Sequence, residues 1–232
     1  MSVRLAIIAF LLLAPAALAA APLRFTTSHA APHSTADGTG SEDLVLKEAL
    51  RRLGYQARIL HLPSKRSIVN VNIGVDDGHF SRIPGLQASY RNLVLVPEPI
   101  CTFEFAVFSK RELAIDGWDS LKPYRTGVIG GWMILERNLA HLPKLTVVAN
   151  KESLFSMLAK DRLDAAVFEL SEGVALLKQA GITNVRPTGT LVKRDLYVYL
   201  NKRHQALAGR LATALKDMKR DGTFQRIVAR AK

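Results

Sequence analysis

Leu23-Arg24-Phe25-Thr26-Thr27, a polar loop over 28–40, and then Ser41-Glu42-Asp43-Leu44-Val45-Leu46-Lys47-Glu48-Ala49-Leu50-Arg51-Arg52-Leu53-Gly54 form the stretch that decides the fold class. The first five residues read as a short strand. Leu46, Ala49, Leu50 and Leu53 fall on one face of a helix, which Ser41 is placed to cap and Gly54 to end. Residues 55–60 then read as a second strand. A strand, a loop, a helix and a strand in that order predict a mostly parallel sheet with helices on its faces.

Working outward, the same unit recurs. Ser64 is placed to cap a second helix containing Lys65, Arg66, Ile68 and Val69, with Gly74 beyond its end. Pro84-Gly85 marks a turn, residues 93–96 a strand, and Pro97 and Pro99 force extended or turn geometry on Val96 and Glu98. Residues 103–108 alternate as a strand. Further on come a strand over 126–129, the pair Gly130-Gly131, and a helix opened by Trp132 and Met133. Glycines at a helix start permit close backbone approach, and the free N–H groups there can face an anion. Strands at 145–149 and 164–168 alternate with helices at 151–160 and 171–179. A strand at 196–200 precedes a long helix over 205–219 and a short one over 224–228. Two groups of βα units, joined by crossing strands near 103–109 and 192–200, predict two α/β lobes with a cleft between them.

The ends of the chain bear on its location. Arg4, the apolar run 5–13 and Ala17-Leu18-Ala19 have the order of a cleavable export signal, with the cut expected after Ala19. Pro15 interrupts the run before it reaches the ~20 apolar residues of a membrane span, and no later segment is long enough. The formal net charge is +12, and residues 192–232 carry eleven Lys or Arg against three Asp. Such a field attracts anions without specifying a fold. Export and the lack of a glycine-aromatic RNA signature or helix-turn-helix spacing argue against nucleic acid as partner. Cys101 is the only cysteine, so no internal disulfide forms. It lies in the apolar run Cys101-Thr102-Phe103-Glu104-Phe105 without a nearby histidine in sequence, and reads as buried and unreactive. His29, His33, His61, His79, His141 and His204 do not have the spacing of a zinc site, and neither a nucleophile elbow nor a phosphate loop occurs. No cofactor, metal or catalytic residue is expected.

Several strings, taken in order over nearly the whole mature chain, resemble the amino-acid-binding periplasmic solute-binding proteins of extracellular solute-binding family 3. They are Leu23-Arg24-Phe25-Thr26-Thr27-Ser28, Leu53-Gly54-Tyr55, Val94-Leu95-Val96-Pro97-Glu98-Pro99-Ile100 before Phe105-Ala106-Val107-Phe108, Asp161-Arg162-Leu163-Asp164-Ala165-Ala166-Val167, and Asp221-Gly222-Thr223-Phe224. The resemblance implies a two-lobed α/β fold of the type II periplasmic-binding kind. The first lobe would hold residues 20–104 and 195–232, the second 105–194, and residues 1–19 would be the signal. It also implies a monomer that closes on a small anionic or zwitterionic solute in the periplasm and serves an ABC transporter permease or a sensor kinase.

In that family an arginine of the first lobe pairs with the ligand's carboxylate. Arg82, in Ser81-Arg82-Ile83-Pro84-Gly85-Leu86, is the best match, and Arg91 is its rival. A planar guanidinium fork suits both carboxylate oxygens. Ser28 and His29 end the first strand, where open α/β sheets place ligands. Lys65 and Arg66 open a helix, where the dipole disfavours cations, so either a ligand or an acidic neighbour compensates them, which makes Arg66 a ligand-binding candidate, or they are solvated. Trp132 is a candidate for the cleft wall, and Glu169 occupies the place where family members put an acid for the ligand's ammonium. Asp77-Gly78-His79-Phe80-Ser81 departs from the family's Ser/Thr run before the arginine. Two further readings stay open: a fold retained as a module for a partner protein, and a periplasmic dehydratase-like enzyme using Glu98, Glu104 or Glu169.

Overall fold

The computed structural model describes residues 21–130 and 133–230, so the export-signal region and Trp132 lie outside the described residues. Nine strands form one continuous sheet in the order β2-β1-β3-β9-β5-β8-β6-β7, with β4 also paired to β9. The first half contains β1 (Leu23–Thr27), α1 (Ser41–Arg52), β2 (Ala57–His61), α2 (Ser64–Asn72), β3 (Gly78–Arg82) and β4 (Leu93–Leu95). β5 (Cys101–Ser109) crosses to the second half, made of β6 (Thr126–Ile129), α3 (Met133–Leu139), β7 (Leu145–Val148), α4 (Lys151–Ala159), β8 (Ala165–Glu169) and α5 (Leu170–Gln179). β9 (Arg186–Asn201) returns, and α6 (Gln205–Arg220) and α7 (Thr223–Arg230) pack beside α1. β1 lies parallel to β2 and β3, and β6 parallel to β7 and β8; the antiparallel partners are the crossing strands and β4.

Strand alternation sets the cores. Phe105 and Val107 of β5, with Ala165 and Val167 of β8, face one cluster in the second half, while Ala106, Phe108, Ala166 and Phe168 face another. Both faces of this sheet are therefore covered, as the period of two in side-chain direction requires. In the first half Phe25, Phe80, Val198 and Leu200 pack against Leu46, Leu50, Leu211 and Leu215 from α1 and α6.

Three local expectations need correction. Gly40, not Ser41, occupies the cap position of α1, and Asp43 Oδ2 accepts from Gly40 N at 3.1 Å. Pro63, not Ser64, precedes the first turn of α2, which leaves the Ser64 hydroxyl free for another contact. The return crossing is one sixteen-residue strand rather than the short segment at 196–200. Pro187, Gly189 and Lys193-Arg194-Asp195 disguise it in sequence, because proline, glycine and clustered charge all read against a strand. Pairing with β5 from Cys101↔Leu196 to Ser109↔Arg186 holds it extended, with two register shifts. Gly189 is needed there, since a Cβ would meet Ile115 Cβ at 2.5 Å.

Candidate functional site

The carboxyl ends of β1 and β3 and the two crossing strands converge on a cleft. Its key side chain is set by an irregularity in β3. His79 pairs with Tyr199 and Arg82 with Tyr197, so β3 carries one more residue than β9 over this interval. That bulge re-aims the end of the strand. Ser81 sits in it with φ of 68°, an uncommon conformation for a residue with a Cβ. The Ser81 hydroxyl donates to Glu42 Oε2 at 2.5 Å, which helps hold the backbone there.

The bulge brings Arg82 back onto His79. Arg82 Nε donates to His79 Nε2 at 2.5 Å, and Nη2 donates to Ser64 Oγ at 2.5 Å and to Ser28 Oγ at 3.3 Å. Burial, and after it the charges of Arg82 and His29, push the His79 imidazole well below its ordinary range. His79 is thus a neutral acceptor at Nε2, and its Nδ1 meets Thr26 Oγ1 at 3.0 Å. Burial also lowers the Arg82 pKa from its usual value. Among the described residues the guanidinium has no carboxylate partner. Neutral acceptors fix its plane, Nη1 remains available, and the Ser28 hydroxyl keeps its own proton to donate. A part-buried cation satisfied only by neutral groups keeps its charge available to an incoming anion.

The cleft beside Arg82 has a volume of about 500 Å³. His29, Phe103, Phe105 and Leu196 wall it, and the second half contributes Ile134, Arg137 and Asn138 from α3. Ile134, Arg137 and Asn138 are spaced i, i+3, i+4, one face of a helix. Arg194 on β9 also lines it. Three arginines and no Asp or Glu thus bound this cavity among the described residues.

A second cavity of about 450 Å³ is lined by His33, Glu42, Thr102, Glu104, Glu169, Asp195 and Lys219, among others. Phe103 stands between the two groups: its ring lies 4.5 Å from that of His29 and 4.9 Å from that of His33. Glu42, 2% exposed, meets His29 Nδ1 at 2.9 Å and His33 Nδ1 at 3.5 Å. Burial would raise the Glu42 pKa, but His29, His33 and Ser81 outweigh it and hold the carboxyl at about 2. His33 Nε2 reaches Glu169 Oε2 at 3.0 Å, tying the first half to the second. Burial lowers the His33 pKa, yet Glu169, Glu42 and Glu172 overcome this and leave it raised. The Cys101 thiol, 3.7 Å from Ser81 Oγ, is driven well above its usual pKa by burial and by Glu42, as an unreactive thiol would be. No group of three or more His, Cys, Asp or Glu among the described residues is arranged to hold a metal ion.

Of the candidates read from sequence, the structure places Arg82 and His29 on the first cleft, and Ser28, which lines a neighbouring hollow with His29, accepts from Arg82 Nη2 at 3.3 Å. Glu169 is buried, caps α5 by accepting from Glu172 N at 2.7 Å, and pairs with His33. It lines the second cavity rather than the arginine cleft. Lys65 and Arg66 on α2 and Arg91 before β4 are exposed and line neither cavity. Sequence reading missed His79, Ser64, His33, Glu42, Phe103, Arg137 and Arg194. The i, i+3, i+4 set on α3 was visible as a pattern. His79 as a neutral rest for Arg82 was not, because only the bulge makes residues three apart in a strand touch.

This architecture, two halves linked by antiparallel crossing strands with a cleft at the strand ends, is the two-lobed periplasmic-binding fold. No protein-family model matches the chain. An uncharacterized protein of Shewanella oneidensis is 29% identical over 200 residues, covering 82% of this chain and 75% of that protein. Among solved structures, the GluR0 ligand-binding core in complex with L-glutamate superposes with a TM-score of 0.74 at 13% identity, over 91% of this chain and 98% of that one. A histidine kinase sensor domain similar to periplasmic binding proteins gives 0.69 at 14% identity, over 90% and 95%. An amino acid ABC transporter substrate-binding protein from Streptococcus pneumoniae, bound to L-arginine, gives 0.67 at 16% identity, over 90% and 94%. At these identities what is shared is the fold.

Proposed function

We propose that this chain is an exported solute-binding protein of the periplasm, a monomer whose lobes close on a small carboxylate-bearing solute for a membrane transporter or a membrane sensor. The observation that carries this reading is Arg82: a guanidinium at the mouth of an interlobe cleft, oriented by His79, Ser28 and Ser64, without a carboxylate partner among the described residues. A carboxylate arriving at Nη1, with Ser28 donating beside it, would gain charge-assisted hydrogen bonds at a site already arranged for them. The fold supports closure around a ligand, since similar structures include a receptor core with L-glutamate and a transporter component with L-arginine. The sensor-kinase and transporter relatives in fold support either membrane partner.

Thermal denaturation of the mature chain against amino acids, small carboxylates and peptides tests the reading. Saturable stabilisation by a carboxylate, lost in Arg82→Ala and not restored in Arg82→Lys, is the expected result, because a lysine cannot satisfy His79 and an anion in one plane. An unchanged melting curve across the whole set would refute it.

A further inference from the structure

We propose that the cleft selects a solute with two anionic groups and no ammonium. One group would bind Arg82 with Ser28, and the other Arg137 of the second lobe, with Arg194 adding to the positive field. The inference rests on the solute-binding reading and narrows its ligand class.

Three observations point to it. First, the cations come from separate elements: Arg82 from the end of β3, Arg137 from α3 and Arg194 from β9, all lining one cavity. Arg82 and Arg137 have no ion pair among the described residues, and Arg194 makes only a hydrogen bond to the Lys193 carbonyl. Arg137 also borders a separate hollow with Asp116 and Asp119, but it pairs with neither, and Asp119 is engaged by Lys122 and His141. A single carboxylate at Arg82 would leave the second-lobe cation without a directly paired counter-charge when the lobes close. An anionic group at the far end of the solute supplies one, and closure is then favoured by binding energy from both lobes.

Second, the acid that an α-amino ligand needs is already committed. Glu169 accepts from the Glu172 backbone at 2.7 Å and from His33 at 3.0 Å, and lies on the other cavity with Glu42. Glu42 itself is engaged by His29, His33 and Ser81. An ammonium placed in the arginine cleft would face three guanidinium groups and no described carboxylate. Third, Phe103, Phe105, Ile134 and Leu196 provide an apolar wall for a carbon skeleton. The volume of about 500 Å³ is within the range of small-molecule sites.

Calorimetric titration of the mature chain with glutarate and with L-glutamate isolates the ammonium, since the two differ only there. Glutarate is expected to bind more than ~10-fold tighter, given like-charge repulsion at contact range in a partly dry cleft. Arg137→Gln should weaken glutarate by about 10- to 100-fold, as loss of a charge-assisted bond in a cleft does, while leaving butyrate, with one carboxylate, unchanged. Phosphoglycolate distinguishes the second group's chemistry: tighter binding than glutarate assigns a phosphate, weaker binding a carboxylate, and either supports a dianion. Glutamate binding as tightly as glutarate, or an Arg137→Gln variant that holds glutarate unaltered, overturns this inference and leaves the solute-binding reading standing. If neither glutarate, glutamate, butyrate nor phosphoglycolate binds, the two-anion inference falls, and the solute-binding reading stands or falls on thermal denaturation against the wider set.

Discussion

Replacing Glu42 with glutamine removes one charge from the junction of the two lobes while keeping its shape, and the size of the effect follows from the structure. Glu42 lies in the first turn of α1, 2% exposed, against His29 at 2.9 Å, His33 at 3.5 Å and Ser81 at 2.5 Å. The helix terminus also favours a negative charge there. Its pKa falls from 4.5 to about 2, and each pH unit of depression corresponds to about 1.4 kcal/mol, so the ionised form contributes roughly 3 kcal/mol at neutral pH. Glutamine recovers part of the hydrogen bonding, which leaves an expected loss of about 2–3 kcal/mol and a fall in Tm of about 5–10 °C for a chain of this size. Because the folded pKa is depressed, the contribution is complete above about pH 4.5 and disappears as pH falls through about 2. Urea denaturation of wild type and Glu42→Gln at neutral pH and at several acid values checks this. The gap between them should shrink to less than half by about pH 3. Glu48→Gln on the same helix, whose partners Arg51 and Arg52 are surface groups, should cost only about 0.5 kcal/mol. A gap that is absent at neutral pH, or that does not change with acidification, would refute the claim that this carboxylate is held ionised by its two histidines.

Other consequences are as direct. His33–Glu169 is the ion pair linking the lobes away from the crossing strands among the described residues, so Glu169→Gln should shift the ligand-free chain toward a larger radius in small-angle scattering. As the His33 pKa is raised, that clasp is complete below about pH 6.5 and is lost as pH rises through the raised value; a radius that is insensitive to pH in wild type would count against it. The charges facing His33 are those of Glu42, Glu169 and Glu172, with the His29 ring nearby. Gly78→Ala should destabilise by about 1–3 kcal/mol, because its Cβ would meet Phe25 Cε1 at 2.3 Å and Cδ1 at 2.7 Å in the core; an unchanged denaturation midpoint would contradict this packing. Arg66→Ala and Arg91→Ala, at exposed positions outside both cavities, should change stability by less than about 0.5 kcal/mol and leave solute affinity unchanged, as titration would show.

The amino-acid sequence by itself determined the βα alternation and the first crossing near 103–109, because apolar periodicity and glycine or proline stops are local properties of the chain; Arg82 was singled out through the family resemblance, with Arg91 as its rival. Glu169 was equally visible as an acid after a strand. Only the tertiary structure decided that Glu169 turns to His33 and its own helix, since a carboxylate 136 residues from its histidine partner has no local signature. The same is true of Arg82. Its orientation depends on one extra residue in β3 relative to β9, which places His79 beneath it, and register between distant strands is set by the packing of both sheet faces rather than by the residues alone. The sixteen-residue return strand belongs with these: proline, glycine and charge hide it, and its partner β5 holds it.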